Sequence, residues 1–311
     1  MKRKVCMGAG KMHEDEADID RSLVRRLLAA QFPQWADLPV EPVVSNGADN
    51  AMYRLGDDMA VRLPRIEWAV RSVGREQEWL PRLAPLLPVA VPVVLGRGVP
   101  GEGHPWPWSV LRWLDGENPA VGQIADPELL AKDLAEFVIA LRSIDPADGP
   151  PAGWGQHLAT LDESARTAIG ELDDLVDTGA VTALWEESLR LPEWPGPAVW
   201  IHGDLSPGNV LLTQGRLSAV IDFGSVGVGD PTTDLIAAWN LLPPGARNVY
   251  RDALRVDDAT WLRGRGWALV VALVQLSYYR ATNPVRASGA RHVIREVLAD
   301  HRRTAELHTA T

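Results

Sequence analysis

The stretch His202-Gly203-Asp204-Leu205-Ser206-Pro207-Gly208-Asn209, followed by Asp222-Phe223-Gly224, decides how the rest of the chain is read. It offers an aspartate, then an amide oxygen at Asn209, then a second aspartate at Asp222. Short β-prone runs surround these residues, at 198–201, 210–212 and 217–221. The last two are separated by Thr213-Gln214-Gly215-Arg216, a hairpin-type turn. Asn209 and Asp222 then stand at the two ends of one hairpin and can meet at a point. Hard oxygen donors of this kind suit Mg²⁺, which takes few protein ligands and keeps water and phosphate oxygens for the rest. Asp204 would lie beside the ion, unliganded, able to accept a hydroxyl proton. His-Gly-Asp alone reads as a capped turn, and Asp-Phe-Gly alone as a turn ending a strand. Together, in this order and at this spacing, they match the H-x-D-x-x-x-x-N plus D-F-G arrangement of phosphoryl-transfer sites.

Outward from this segment the chain divides into two unlike halves. Residues 18–31 carry helical periodicity, with Ile19, Leu23, Leu27 and Leu28 on one face. Strand signals follow at 41–45, 51–55 and 59–63, joined by the turn-forming clusters Asn46-Gly47-Ala48-Asp49-Asn50 and Gly56-Asp57-Asp58. A helix is expected over 68–84, then strands over 89–95 and 109–114. Beyond Asp115-Gly116-Glu117-Asn118-Pro119, the one candidate linker, the pattern is mainly helical. Helices are expected over 129–141 and 158–176, and again from about Thr233 onward.

Composition sets the limits. The chain has 311 residues, 46% of them hydrophobic, enough for a substantial core and too many for a disordered chain. With 31 Lys+Arg against 41 Asp+Glu, the net charge of −10 speaks against nucleic acid as a partner. No apolar run reaches the ~18–20 residues of a membrane span. Cys6 has no partner for a disulfide, which fits a reducing, cytoplasmic compartment. Residues 1–11 hold Lys2, Arg3, Lys4 and Lys11 and no acid, and read as a disordered leader or as residues ahead of a start at Met12.

The runs "WIHGDLSPGNVLL" and "VIDFGSVGVGDPTTDL" resemble the aminoglycoside phosphotransferase family, small-molecule kinases with a protein-kinase-like fold. "SNGADNAMYRLGDDMAVRLPR", "REQEWLPRLAPLLPVAVP", "HPWPWSVLRWLDGE" and "SIDPADGP" fall in the same order, so the likeness covers roughly residues 13–300. It implies a two-lobed α+β fold: a β-rich, nucleotide-binding N-lobe over 12–114 and a mainly helical C-lobe over 115–311. It further implies ATP (with GTP possible) and Mg²⁺ as cofactors, and a hydroxylated small molecule as acceptor. An aminoglycoside-type cationic antibiotic is favoured; choline-, homoserine-, ketosamine- and macrolide-like acceptors are the alternatives.

By the same resemblance Asp204 is the catalytic aspartate, and Asn209 and Asp222 are the metal ligands. Ser45 and Gly47 lie in the nucleotide loop. Arg112, Trp113 and Leu114 form the hinge against the nucleobase, with Arg112 and Leu114 as its nucleotide-binding members. Glu76 pairs with the phosphate-binding cation. That cation is usually a lysine; here Arg62 takes its place, and no lysine lies between Lys11 and Lys132. A guanidinium can bridge phosphate oxygens and pair with Glu76; the plainer reading is an exposed strand charge.

Asp234 either braces the catalytic loop or serves as a helix N-terminal charge. His202 reads as a hydrogen-bonded anchor of the loop. Trp106 and Trp108 read as packing and less readily as nucleobase stacking. The acids at 162, 163, 171, 173, 174 and 177 read as a solvated face, the competing idea being a site for ammonium groups. A nucleotide-binding pseudoenzyme is suggested only by Arg62. A protein kinase is disfavoured by the short stretch from Gly224 to Asp234.

Overall fold

The computed structural model describes residues 16–309 apart from 44–46, 48 and 156; the leader at 1–11 and Ser45 lie outside the described residues. Helix α1 (Arg21–Gln31) starts where the Asp20 carboxylate accepts from the Leu23 N–H at 2.7 Å, three residues later than periodicity suggested. It lays Leu23, Val24, Leu27 and Leu28 into one apolar cluster with Val40, Tyr53, Leu55, Val61 and Val110 of the N-lobe sheet.

Five strands form that sheet: β1 (Val40–Pro42), β2 (Asn50–Leu55), β3 (Met59–Pro64), β4 (Val94–Gly98) and β5 (Trp108–Arg112). All pairings are antiparallel, in the order β1-β2-β3-β5-β4. Gly56, at φ 58°, turns β2 into β3. Strand β3 is buried at every position, so its one charged residue, Arg62, must find partners inside the protein. Helix α2 (Ala69–Leu83) lies between this sheet and the C-lobe and buries Glu76.

The strand expected over 89–95 divides in two. Ala90 crosses to the C-lobe, where its N–H donates to Ser218 O at 3.2 Å and its carbonyl accepts from Val220 N at 3.0 Å. Only Val94 onward joins the N-lobe sheet. Residues 115–119 are tied down as well: Glu117 exchanges backbone bonds with Leu212 at 2.9 and 2.8 Å.

The C-lobe packs α3 (Pro127–Arg142), α4 (Asp162–Glu171) and α5 (Thr178–Leu189) with α6 (Ala237–Asn240), α7 (Pro244–Leu254), α8 (Asp258–Tyr279) and α9 (Pro284–Thr309) around one large apolar core. The single helix expected over 158–176 is instead a 3-10 turn (Leu158–Leu161) followed by α4. The helix ends at Leu172, and Asp177 starts α5 by accepting from the Ala180 N–H. Two small ribbons lie over the core: β6 (Val199–Ile201) with β9 (Gly227–Gly229), and β7 (Val210–Thr213) with β8 (Arg216–Val220). Gln214 and Gly215, at φ 53° and 79°, make the expected β7–β8 turn. Among the described residues no helix is long and apolar enough to cross a membrane.

Candidate active site

The β7–β8 ribbon sets the backbone of Asn209 beside that of Ile221, next to Asp222. Asn209 precedes β7, Asp222 follows β8, and the Ile221 N–H donates to Asn209 O at 2.8 Å. The Asn209 amide nitrogen donates to Asp204 O at 2.9 Å and to Asp204 Oδ2 at 2.8 Å. That fixes the amide orientation and leaves Asn209 Oδ1 as an oxygen donor on the side away from Asp204. Asp222 sits in the left-handed region (φ 60°, ψ 67°), a backbone state that side-chain-bearing residues adopt at a cost.

Asp204 is half-buried. Burial first, and the Asp222 charge second, push its carboxyl up to about 7, against the pull of Arg286 and the Asn209 bond. Two neighbouring carboxylates and an amide oxygen are a hard-oxygen set that a divalent cation would neutralise, and they fit Mg²⁺. Among the described residues no cluster of three or more His, Cys, Asp or Glu could hold a metal by itself, so a metal here needs oxygens from a ligand or water.

The loop carrying Asp204 is held from below. Asp234 is buried and accepts from the His202 N–H at 3.0 Å and the Gly203 N–H at 2.8 Å, while Tyr250 donates to its carbonyl at 3.0 Å. Its carboxylate therefore reaches across to residues 202–203, and a helix-end charge does not describe it. His202 is buried, takes the Asp204 N–H on Nδ1 at 3.2 Å and bonds Ile221 O through Nε2 at 3.1 Å. Burial holds its pKa below the ordinary value, so the ring is neutral, with the proton on Nε2.

Two residues that sequence reasoning did not single out share this work. Asn118 Nδ2 spans the carbonyls of Pro207, Gly208 and Val210 at 3.2, 3.1 and 2.9 Å, and Asn240 Nδ2 donates to Leu205 O at 2.8 Å. Asn118 sits in the conspicuous Asp-Gly-Glu-Asn-Pro cluster, which was the available signal.

On the N-lobe side, Arg62 Nη1 donates to Glu76 Oε2 at 2.5 Å and Nη2 to Asp222 Oδ1 at 2.8 Å. Burial would lower the arginine's pKa; Asp222 and Glu76 overcome it, so the guanidinium stays charged. Burial works to raise the Asp222 pKa as well, and Arg62 outweighs it, holding this carboxylate ionised. Arg62 is thus buried and paired, which replaces the exposed-charge reading.

In the hinge, the Arg112 N–H is taken by Val93 O at 2.9 Å and the Trp113 N–H by Asp58 O at 2.8 Å. Leu114 keeps a backbone donor with no protein acceptor among the described residues. Gly47 is exposed at the mouth of the β1–β2 connection, close to the undescribed residues of that loop. Trp108 is buried against Phe32, with ring centroids 5.3 Å apart, and Trp106 meets His104 edge-on, so both pack within the N-lobe. Of the acids on the 162–177 segment, Asp162 accepts from Trp185 at 2.8 Å, Glu171 from Ser277, and Asp177 caps α5. Glu163, Asp173 and Asp174 are exposed, as a solvated face requires.

A family model described as "Phosphotransferase enzyme family" matches residues 41–267. An aminoglycoside 3'-phosphotransferase of Salmonella typhimurium is 35% identical over 120 residues, covering 37% of this chain and 44% of that protein. The uncharacterized protein YcbJ of Bacillus subtilis is 36% identical over 142 residues, 44% of each chain. The matched stretches thus span less than half the length of these relatives. Among solved structures, the GDP and kanamycin complex of APH(2")-IIia superposes with a TM-score of 0.73 at 21% identity, covering 89% of this chain and 98% of that one. A macrolide 2'-phosphotransferase of Brachybacterium faecium gives 0.61 at 22% identity, with 88% and 98% covered. At such identities the superpositions establish the two-lobed, kinase-like α+β fold. The family match runs over more than half of the chain and through Arg62, Glu76, Asp204, Asn209 and Asp222, so this chain belongs to the phosphotransferase enzyme family.

Proposed function

We propose that this chain transfers the γ-phosphoryl group of ATP, with GTP as the alternative donor, to a hydroxyl of a small molecule. The observation that carries the reading is the Asn209 amide bonded to Asp204, with the Ile221–Asn209 backbone bond setting Asp222 next in the chain to that pair. Asn209 Oδ1 and the Asp222 carboxylate would hold Mg²⁺, which when bound neutralises charge on the transferring phosphate. The Leu114 N–H would meet the nucleobase edge, and Gly47 would let backbone N–H groups approach the phosphates. Asp204 orients the acceptor hydroxyl and takes its proton as the new P–O bond forms. The bond to the β-phosphate breaks, and its electron pair leaves with the nucleoside diphosphate. The packing around Asp204 raises its pKa, and general-base assistance of this kind contributes ~10²–10⁴-fold.

The favoured acceptor is an aminoglycoside-type polycation. Its support is the activity named for the relatives and the net charge of −10, which attracts cations at long range. The site as proposed works with cytoplasmic ATP and Mg²⁺. The test is transfer of label from γ-labelled ATP across a panel of aminoglycosides, macrolides, choline and homoserine. Label on an aminoglycoside hydroxyl is expected. Transfer to another acceptor alone would replace the substrate class, and transfer to none of a broad panel would overturn the reading.

A further inference from the structure

Arg62 stands where the family resemblance expects a phosphate-binding lysine, yet its guanidinium is already spent inside the protein. Nη1 is on Glu76 at 2.5 Å and Nη2 on Asp222 at 2.8 Å. With the Asn50 amide turned so that its oxygen faces the arginine, Nη2 and Nε also donate to Asn50 Oδ1 at 3.0 and 3.3 Å. A guanidinium has five N–H donors in a fixed planar fork. These contacts use four of them and leave one, on Nη1. A lysine ammonium, a point charge with three donors, could not span Asn50, Glu76 and Asp222 in the same plane.

The Asp222 turn is braced from the same side by a second arginine. Arg75 Nη1 donates to Val226 O at 2.9 Å and Ser225 O at 3.4 Å, tying α2 to the segment after Asp222. Together these bonds hold a left-handed aspartate that has no glycine-like freedom of its own.

We propose that Arg62 is a positioning residue that presents the Asp222 carboxylate to the metal, that Asn50 orients Arg62, and that the arginine is not the main phosphate clamp. The inference rests on the reading of Asp222 as a metal ligand. It adds Asn50 to the site and links the root of the nucleotide loop to the metal aspartate through one cation. Partners that orient a metal ligand are worth about 10–100-fold in metal affinity.

The test uses the full chain with Asn50→Ala and Arg62→Lys, the second keeping the buried charge. Mn²⁺ affinity is read by electron paramagnetic resonance in the presence of a non-hydrolysable ATP analogue. Analogue affinity is read separately without metal. Both variants should weaken Mn²⁺ about 10–100-fold, while metal-free analogue affinity changes by less than about threefold. An Arg62→Lys protein with intact Mn²⁺ affinity and much weaker metal-free nucleotide binding would overturn the proposal and restore a phosphate clamp.

A ligand-free measurement stands beside this one: urea unfolding of Arg62→Lys, Asp222→Asn and the double variant. The folding constants should be non-additive by several-fold, as for contacting residues; additivity would overturn the strut. If the wild-type chain bound neither Mn²⁺ nor nucleotide, the proposed function would fail, and the unfolding cycle alone would decide the role of Arg62.

Discussion

Replacing Asp204 by Asn should make the metal-free protein more stable at alkaline pH while destroying its turnover. Burial, and then the neighbouring Asp222 charge, lift the Asp204 carboxyl from an ordinary 3.8 to about 7 in the folded chain. Between those values the folded state holds a proton that the unfolded state has released. The protonated carboxyl therefore adds stability that is complete below about pH 4 and is lost as pH rises through about 7. Above that, folding carries an ionised carboxylate in the wrong place. Three pKa units correspond to about 4 kcal/mol, and water reaching the half-buried group reduces this to about 2–4 kcal/mol. Asparagine is nearly isosteric, carries no charge, and keeps an oxygen for the Asn209 amide that now donates to Oδ2 at 2.8 Å. The assay is urea unfolding in EDTA at pH 4 and pH 8.5. At pH 8.5 the variant should gain about 2–4 kcal/mol, and at pH 4 the two proteins should agree within about 0.5 kcal/mol. A variant that is equally or less stable at pH 8.5 would refute the reasoning, because Asp204 would then not be a strained, function-bearing charge.

Other substitutions follow from the same geometry. Asp234→Ala strips the buried His202 and Gly203 N–H groups of their acceptor and should cost about 2–5 kcal/mol in urea unfolding, with Asp234→Asn milder. Asn118→Ala releases the carbonyls of Pro207, Gly208 and Val210 in the loop after Asp204; if the proposed activity holds, steady-state kinetics should show kcat falling more than KM rises, with about 1–2 kcal/mol of stability lost. Gly224→Ala would place a Cβ 2.6 Å from Ser72 Cβ on α2; the helix must move away from the Asp222 turn, and a lowered melting temperature equivalent to about 1–3 kcal/mol should register it.

What the sequence revealed and concealed divides along the range of the interactions. The residues at 202–209 and 222–224 are local, and their spacing on either side of a two-residue turn sets the pairing of the Asn209 and Ile221 backbones; that part of the geometry was legible. The N-lobe strands β2 and β3 were legible for a similar reason, because turn-forming clusters at 46–50 and 56–58 bound them in the sequence. The run at 89–95 was misplaced because its apolar residues serve two surfaces. Ala90 pairs with β8 of the C-lobe, and Val94 with β5 of the N-lobe, so burial on both sides reads as a single strand. Helical periodicity through 158–176 hid the break at Leu172, where an apolar position is buried after the helix has already ended. Asn118 and Arg75 act on backbone carbonyls some 90 and 150 positions away, which no local pattern encodes. Arg62 was visible as a departure from lysine, but its bond to Asp222, 160 residues on, was not.

The central claim is that Asn209 and Asp222 share one divalent ion beside Asp204. Anomalous diffraction from crystals grown with Mn²⁺ and a non-hydrolysable ATP analogue tests it most directly. The account predicts an anomalous peak within bonding distance of Asn209 Oδ1 and an Asp222 carboxylate oxygen, with Asp204 facing the terminal phosphate and not ligating the metal. A bound nucleotide whose metal lies elsewhere, or an Asp204 turned away from the phosphate, would contradict it.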